Sequence, residues 1–102
     1  INVLRYYFLM IRSFADKETQ KLFNRQFSRK LPAEIQHTAR YTLEFLDAAG
    51  RLDDLRIPPS NRLEKLSGNR AGQHSIRINN QYRVCFKWTE GGPEDVEITD
   101  YH

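Results

Sequence analysis

Two groups of side chains in this sequence could act on a phosphate. The cations Arg77, Arg83 and Lys87 recur in a segment with strand-like alternation, and residues 100–102 read Asp-Tyr-His. Arginine clamps phosphate oxygens and stabilises the negative charge of a phosphorane, while tyrosine and histidine transfer protons. The combination suits metal-free RNA cleavage, in which the neighbouring 2′-hydroxyl attacks the phosphate; DNA lacks that nucleophile. On the residues alone, however, an edge aromatic and a frayed terminus explain Tyr101 and His102 better than catalysis does.

The sequence contains no residue pattern typical of a metal site, a catalytic triad or a nucleotide-binding site. One cysteine and three dispersed histidines give no metal-binding cluster, and the pair Asp100 and His102 is a weak signal by itself. The sequence also has no Ser-His-Asp ordering, phosphate-cradling glycine loop or nucleotide-binding fingerprint. We therefore expect neither a metal nor a cofactor.

The cations are positioned by residues 74–88, HSIRINNQYRVCFKW, which predict two strands and a turn. Ile76 and Ile78 alternate with polar residues, and this period of two places them on one sheet face. The polar residues at 79–81 tolerate the positive φ of a chain reversal. The alternation then resumes with four core-facing positions, Tyr82, Val84, Phe86 and Trp88. The opposite face carries the three cations, either as a platform for a phosphate-rich ligand or as an ordinary solvated strand face.

Charge is unevenly distributed along the chain, although the formal net charge is only +3. Residues 56–87 contain seven basic groups and one acidic group, whereas residues 88–102 contain five acidic groups and no basic ones. This asymmetry favours a polyanion partner for the middle of the chain. The acidic end serves either a basic partner or plain solubility.

Length and composition predict one small cytoplasmic domain. A chain of 102 residues supports a single core. The lone cysteine, Cys85, excludes a disulfide framework and makes a reducing compartment the default. No stretch approaches the ~18 apolar residues that cross a bilayer, so we expect no membrane contact. Residues 1–9 precede Met10 and are expected to come from upstream or vector sequence, with an extra edge strand as the alternative.

The pattern of the N-terminal half predicts a strand followed by two helices. The strand covers residues 10–14, and Asp16 caps a helix that runs to about residue 27. A second helix begins near Pro32 and stops at Gly50, with His37 on its exposed side. The predicted buried stripes of the two helices are Leu22, Phe23 and Phe27, and Ile35, Ala39, Leu43 and Leu46.

The C-terminal half predicts a sheet. Residues 51–62 contain Pro58-Pro59, which interrupts regular structure, and we expect this segment to be mobile. A short strand at 62–66 and a last strand through Val96 and Ile98 flank the two strands already described. The order is typical of an α+β fold with helices on one face of a largely antiparallel sheet.

Four segments of the chain resemble HigB-type toxins of the RelE/ParE superfamily. They are residues 10–14 (MIRSF), 62–79 (RLEKLSGNRAGQHSIRIN), 82–86 (YRVCF) and 100–102 (DYH). The resemblance covers residues 10–102 as one toxin domain and implies a RelE-like, microbial-ribonuclease-type fold and ribosome-dependent mRNA cleavage. It also implies neutralisation by a HigA-type antitoxin with a helix-turn-helix, so that operator DNA is contacted only through the antitoxin.

The resemblance assigns roles to individual residues. Arg83 matches the family's strand arginine that contacts the scissile phosphate. The functional C-terminal tail of the family corresponds to Asp100, Tyr101 and His102. Apart from these matched positions, we expect the basic and histidine side chains of the central segment to bind RNA, namely Lys65, Arg70, His74, Arg77 and Lys87.

The residue that acts as the general base is not decided by the resemblance. Where some members have a histidine, this chain has Glu64, and Ser67 stands where some have a basic residue. Glu64 therefore either replaces that histidine or is a surface carboxylate. His74, close to the arginines in sequence, is a second candidate.

A second function class competes with the nuclease. A ParE-like toxin would poison a target such as gyrase by binding it, without cutting RNA. Arg83 together with the Asp-Tyr-His tail favours the nuclease, and an inactive RNA- or antitoxin-binding module is a third alternative.

Overall fold

The protein folds as a four-stranded antiparallel sheet with two helices packed on one face. In this computed structural model, described for residues 10–100, helix α1 spans Lys17–Phe23 and helix α2 spans Ala33–Ala48. The strands lie in the order β1 (Glu64–Lys65), β2 (His74–Arg77), β3 (Tyr82–Thr89) and β4 (Gly92–Asp100). The predicted α+β class is therefore confirmed. Neither helix within residues 10–100 combines the length and apolar character that a bilayer span requires.

Helix α1 is shorter than the sequence predicts. Asp16 Oδ1 accepts a hydrogen bond from Thr19 N at 2.7 Å, which confirms the predicted N-cap. The helix stops well before Phe27 because Arg25 adopts a left-handed conformation, with φ of 64°, that a right-handed helix cannot include. Leu22 is buried, but Phe27 is 64% exposed, so its predicted place in the buried stripe is wrong.

Helix α2 supplies much of the helical side of the core. All four residues of its predicted stripe are buried, as their spacing requires, and His37 is exposed as expected. The sheet contributes the other half of the core through one face of β2, β3 and β4, namely Ile76, Val84, Phe86, Val96 and Ile98.

The segment before α1 runs beside β4 as extended chain. A parallel bridge joins Phe14 to Val96, and Arg12 N donates to Pro93 O at 2.8 Å. The strand predicted at residues 10–14 is thus reduced, in the described part, to this single bridge and its flanking backbone hydrogen bonds. Residues 1–9 lie outside the described residues, and their origin stays a prediction.

Residues 51–62 contain two short 3-10 helices, Leu52–Arg56 and Pro59–Asn61. Leu55 is completely buried in the core and anchors the segment. Asn61 Nδ2 donates to the Leu55 carbonyl at 3.2 Å, which ties the second turn to the first. The segment leads directly into β1 at the edge of the sheet.

Candidate active site

The sheet face that the helices leave open carries the predicted site. Cross-strand pairing places Glu64 opposite Ser75, Ser75 opposite Cys85 and Cys85 opposite Glu97. Directly paired residues of antiparallel strands share a face, so one row of this face crosses all four strands. Ser75 and Cys85 are buried, which shows that the middle of this face is not freely solvated.

Arg83 lies in the next row, between Arg77 on β2 and Thr99 on β4. Its Nε donates to Ser75 Oγ at 2.7 Å, and its Nη2 donates to the backbone carbonyl of Arg62. Arg83 is only 5% exposed, so it is not a surface cation of the predicted platform, although it lies on the predicted face. Burial strengthens its attraction for an anion because little solvent screens the charge.

Glu64 borders the guanidinium and an open cleft. Its Oε1 lies 3.8 Å from Arg83 Nη2, an ion-pair distance that is too long for a hydrogen bond. The Glu64 side chain is 46% exposed, so water and substrate can reach the carboxylate. The cleft has a volume of about 250 Å³ and is lined by Glu64, Lys65, Leu66, Ser67, Asn69 and Arg70.

The remaining cations of this face have partners within the chain. Arg70 Nη2 lies 3.1 Å from Glu97 Oε1, and Lys87 Nζ lies 3.3 Å from Asp95 Oδ2. Arg77 is half-buried and donates to an asparagine of the β2–β3 turn. Acidic residues of β4 therefore partly neutralise the basic middle of the chain, a role that the charge distribution alone did not indicate.

His74 and Lys65 lie on the other face of the sheet. They pair with each other, and His74 also pairs with the core residue Phe86, whose ring lies 6.3 Å from the imidazole, centroid to centroid. Burial, followed by repulsion from Lys65 and Arg56, lowers the pKa of His74, so its ring is neutral at pH 7. The structure does not bring His74 together with Arg83, although the two were grouped by sequence. Lys65 nevertheless lines the cleft beside Glu64.

The end of β4 comes close to Arg83. Thr99 lies directly across from Arg83, and its buried Oγ1 has no hydrogen-bond partner within residues 10–100. Asp100 follows and accepts a hydrogen bond from a glutamine of the β2–β3 turn at 3.1 Å. Tyr101 and His102 lie outside the described residues, and their roles stay predictions.

Two groups that hold Arg83 were missed by reasoning from the sequence. Ser75 is fully buried, and the signal that could have found it is its alternation with Ile76, which places a hydroxyl on the arginine face. Arg62 contributes a backbone carbonyl from a left-handed conformation, with φ of 49° and ψ of 56°. No sequence signal marks that contact, because a non-glycine residue rarely adopts this conformation.

Comparison with known proteins decides the family. Residues 12–102 match the family model described as the RelE-like toxin of the type II toxin-antitoxin system HigB. The chain belongs to the HigB-like toxin family. Toxin HigB-1 of Vibrio cholerae is 43% identical over 83 residues, which cover 80% of this chain and 87% of that protein. Endoribonuclease HigB of Proteus vulgaris is 28% identical over 93 residues, covering 91% of this chain and 100% of that protein.

Comparison with a solved structure supports the fold. A chain of the YoeB-YefM complex from Staphylococcus aureus superposes with a TM-score of 0.56 at 22% identity, covering 92% of this chain and 97% of that one. The RelE-like fold expected from the resemblance is confirmed. As a member of the HigB-like family, the chain is a toxin of a type II toxin-antitoxin system and has an antitoxin as its partner.

Proposed function

We propose that this HigB-like toxin is a ribosome-dependent mRNA endoribonuclease that blocks translation and growth in the cytoplasm without a metal ion. Support comes from the family, from the endoribonuclease named among its relatives, and from an arginine held beside an open cleft. The family resemblance supplies the dependence on the ribosome and the mRNA substrate.

The observation that carries the proposal is the buried, hydrogen-bonded guanidinium of Arg83. Attack by the 2′-hydroxyl adds negative charge to the scissile phosphate. A cation already fixed in a poorly screened position stabilises that charge without having to reorganise during the reaction. We propose Glu64 as the base that takes the proton from the 2′-hydroxyl. Asp100, Tyr101 and His102 are our candidates for positioning the phosphate and for giving a proton to the departing 5′-oxygen.

We expect the phosphate to approach Arg83 past Glu64, which lines the cleft and borders the guanidinium. Glu64 Oε1 lies 3.8 Å from Arg83 Nη2, and the Glu64 side chain is half-exposed. This edge of the guanidinium therefore already has an anionic group beside it. Lys65 and Arg70 line the same cleft, where their charges attract the RNA backbone. We therefore expect the substrate to approach along β1, the edge strand of the sheet.

The experiment is induction in growing cells followed by mapping of mRNA 5′ ends. We expect new in-frame cuts inside translated messages, and in a purified system cuts in ribosome-bound mRNA but not in free mRNA. The control is Arg83→Ala induced to the same level, which should leave messages intact. Intact messages with blocked replication would overturn the nuclease and support a ParE-like toxin that binds gyrase.

We further propose that the antitoxin is HigA-type, bears a helix-turn-helix and is the only component that touches operator DNA. Co-expressed with the product of the adjacent gene, the toxin should purify as a stable complex that binds the operator. The toxin alone should not bind it. A chain that is harmless alone and binds nothing encoded beside it would contradict this part of the proposal.

A further inference from the structure

The orientation of Arg83 is fixed by groups that nothing so far assigns to the reaction. Ser75 Oγ accepts from Arg83 Nε at 2.7 Å, and the Ser75 carbonyl lies 3.4 Å from Nη2. The carbonyl of Arg62 accepts from the same Nη2. Bonds to two different nitrogens prevent the guanidinium plane from rotating about the end of its side chain.

Ser75 has a buried hydroxyl in the middle of a sheet, which needs an explanation. Its exposed fraction is 0%, and a buried hydroxyl is costly unless it is hydrogen-bonded. Its direct cross-strand partner is Cys85, which behaves as a small apolar side chain. Arg83 is instead the diagonal neighbour, and its side chain leans across to reach the serine. Packing therefore does not require the hydroxyl, whereas Arg83 uses it.

We propose that Ser75 is a positioning residue for Arg83: its hydroxyl fixes Nε so that the guanidinium meets the scissile phosphate in one orientation. This rests on the proposed RNA cleavage, since it concerns the same phosphate. A fixed cation stabilises the transition state only if its donors already point to where charge develops, and small displacements are enough to lose the benefit.

The test compares Ser75→Ala with a control of similar size. Cys85→Ala removes one heavy atom from the directly paired position on the same face and leaves the bonds of Arg83 in place. Ser75→Thr keeps the hydroxyl and suits a strand. We expect Ser75→Ala to lower the single-turnover cleavage rate on saturating ribosome–mRNA complexes about tenfold or more, the worth of a hydrogen bond to a charged group, at unchanged KM. Ser75→Thr should restore most of the rate, and Cys85→Ala should keep it.

A second measurement reports on Arg83 without any reaction. In 15N NMR spectra the Nε–H signal of Arg83 should be distinct and slow to exchange in the wild-type and Cys85→Ala proteins. In Ser75→Ala the signal should shift and exchange faster with solvent, because Nε has lost the serine acceptor. An unchanged Arg83 signal in Ser75→Ala would overturn the proposal.

The kinetic outcomes are equally decisive. Equal losses of rate in Ser75→Ala and Cys85→Ala would mean that packing alone is involved, and a higher KM at unchanged rate would mean that the serine serves binding. Either result would overturn the positioning role. If the wild-type toxin cuts no ribosome-bound mRNA, the proposed function fails, while the NMR signal still decides whether Ser75 orients Arg83.

Discussion

Replacing Arg83 by alanine should abolish cleavage and leave the toxin folded. The truncation removes the donors to the hydroxyl of fully buried Ser75 and to the carbonyl of Arg62. Arg62 is an exposed residue, so water can replace the lost donor there, whereas the serine hydroxyl loses its partner inside the protein. One unsatisfied buried group costs about 1–3 kcal/mol.

The expected effect on the reaction is larger than any effect of unfolding. Losing a fixed donor to a developing oxyanion lowers kcat by about 10²–10³. A domain with a free energy of unfolding of about 5 kcal/mol that lost about 3 kcal/mol would keep about 2 kcal/mol. About 97% of its molecules would then stay folded. A loss of about a hundredfold in rate therefore cannot come from the unfolded fraction.

The assay is single-turnover cleavage of ribosome-bound mRNA at saturating toxin, paired with urea unfolding of each protein. Lys87→Ala is the control, because it removes an exposed cation from the same strand and leaves the contacts of Arg83 unchanged. We expect this control to bind RNA more weakly, with a smaller dependence on salt, and to cleave at the wild-type rate once saturated. A folded Arg83→Ala protein that cleaves within a few-fold of the wild type would refute the reasoning.

Three further predictions test the remaining groups. Glu64→Gln keeps the shape of the side chain but cannot accept the proton; if Glu64 is the base, the single-turnover rate falls about 10²-fold or more. A rate within a few-fold of the wild type would instead make Glu64 a surface carboxylate. Deleting Tyr101 and His102 should eliminate cleavage at an unchanged unfolding midpoint, because the core contribution of β4 rests on Val96 and Ile98; full activity of the shortened toxin would remove both from the mechanism. Because burial lowers the pKa of His74 in the folded state, protons bind the unfolded chain more readily, so the free energy of unfolding should fall as pH drops below about 6.5. Urea titrations from pH 8 to pH 4 on the wild type and His74→Gln check this, and equal slopes in the two proteins would contradict it.

The period of two in β2 and β3 predicted the correct sheet faces. Val84 and Phe86 are in the core, and Arg83 lies on the other side, as the alternation requires. The same period also places His74 with Ile76 in the core-facing set. Grouping His74 with the arginines because they are close in sequence disregards that alternation, and the structure separates them.

The burial of Arg83 could not be predicted from the sequence. It depends on a backbone carbonyl 21 positions away, at Arg62, which β1 brings to the edge of β2. Local patterns carry no information on such a contact, and the left-handed conformation of Arg62 has no residue-type signal. The early end of α1 has the same kind of cause, because it depends on the left-handed conformation of Arg25.

The groups that accept hydrogen bonds from buried Arg83 matter for its proposed role at the phosphate. The acceptors at Ser75 and Arg62 are neutral, so they orient the guanidinium and replace its water without cancelling its charge. Arg70 is a useful contrast, since its Nη2 lies 3.1 Å from the carboxylate of Glu97, which compensates its charge at hydrogen-bonding distance. Glu64 stands farther from Arg83, at 3.8 Å, on a side chain that solvent reaches. An incoming phosphate would have to break a direct ion pair at Arg70, whereas the acceptors at Ser75 and Arg62 take hydrogen bonds from Arg83 without opposing its charge. For this reason the proposed reaction uses Arg83 to stabilise the transition state and Arg70 to attract the RNA backbone.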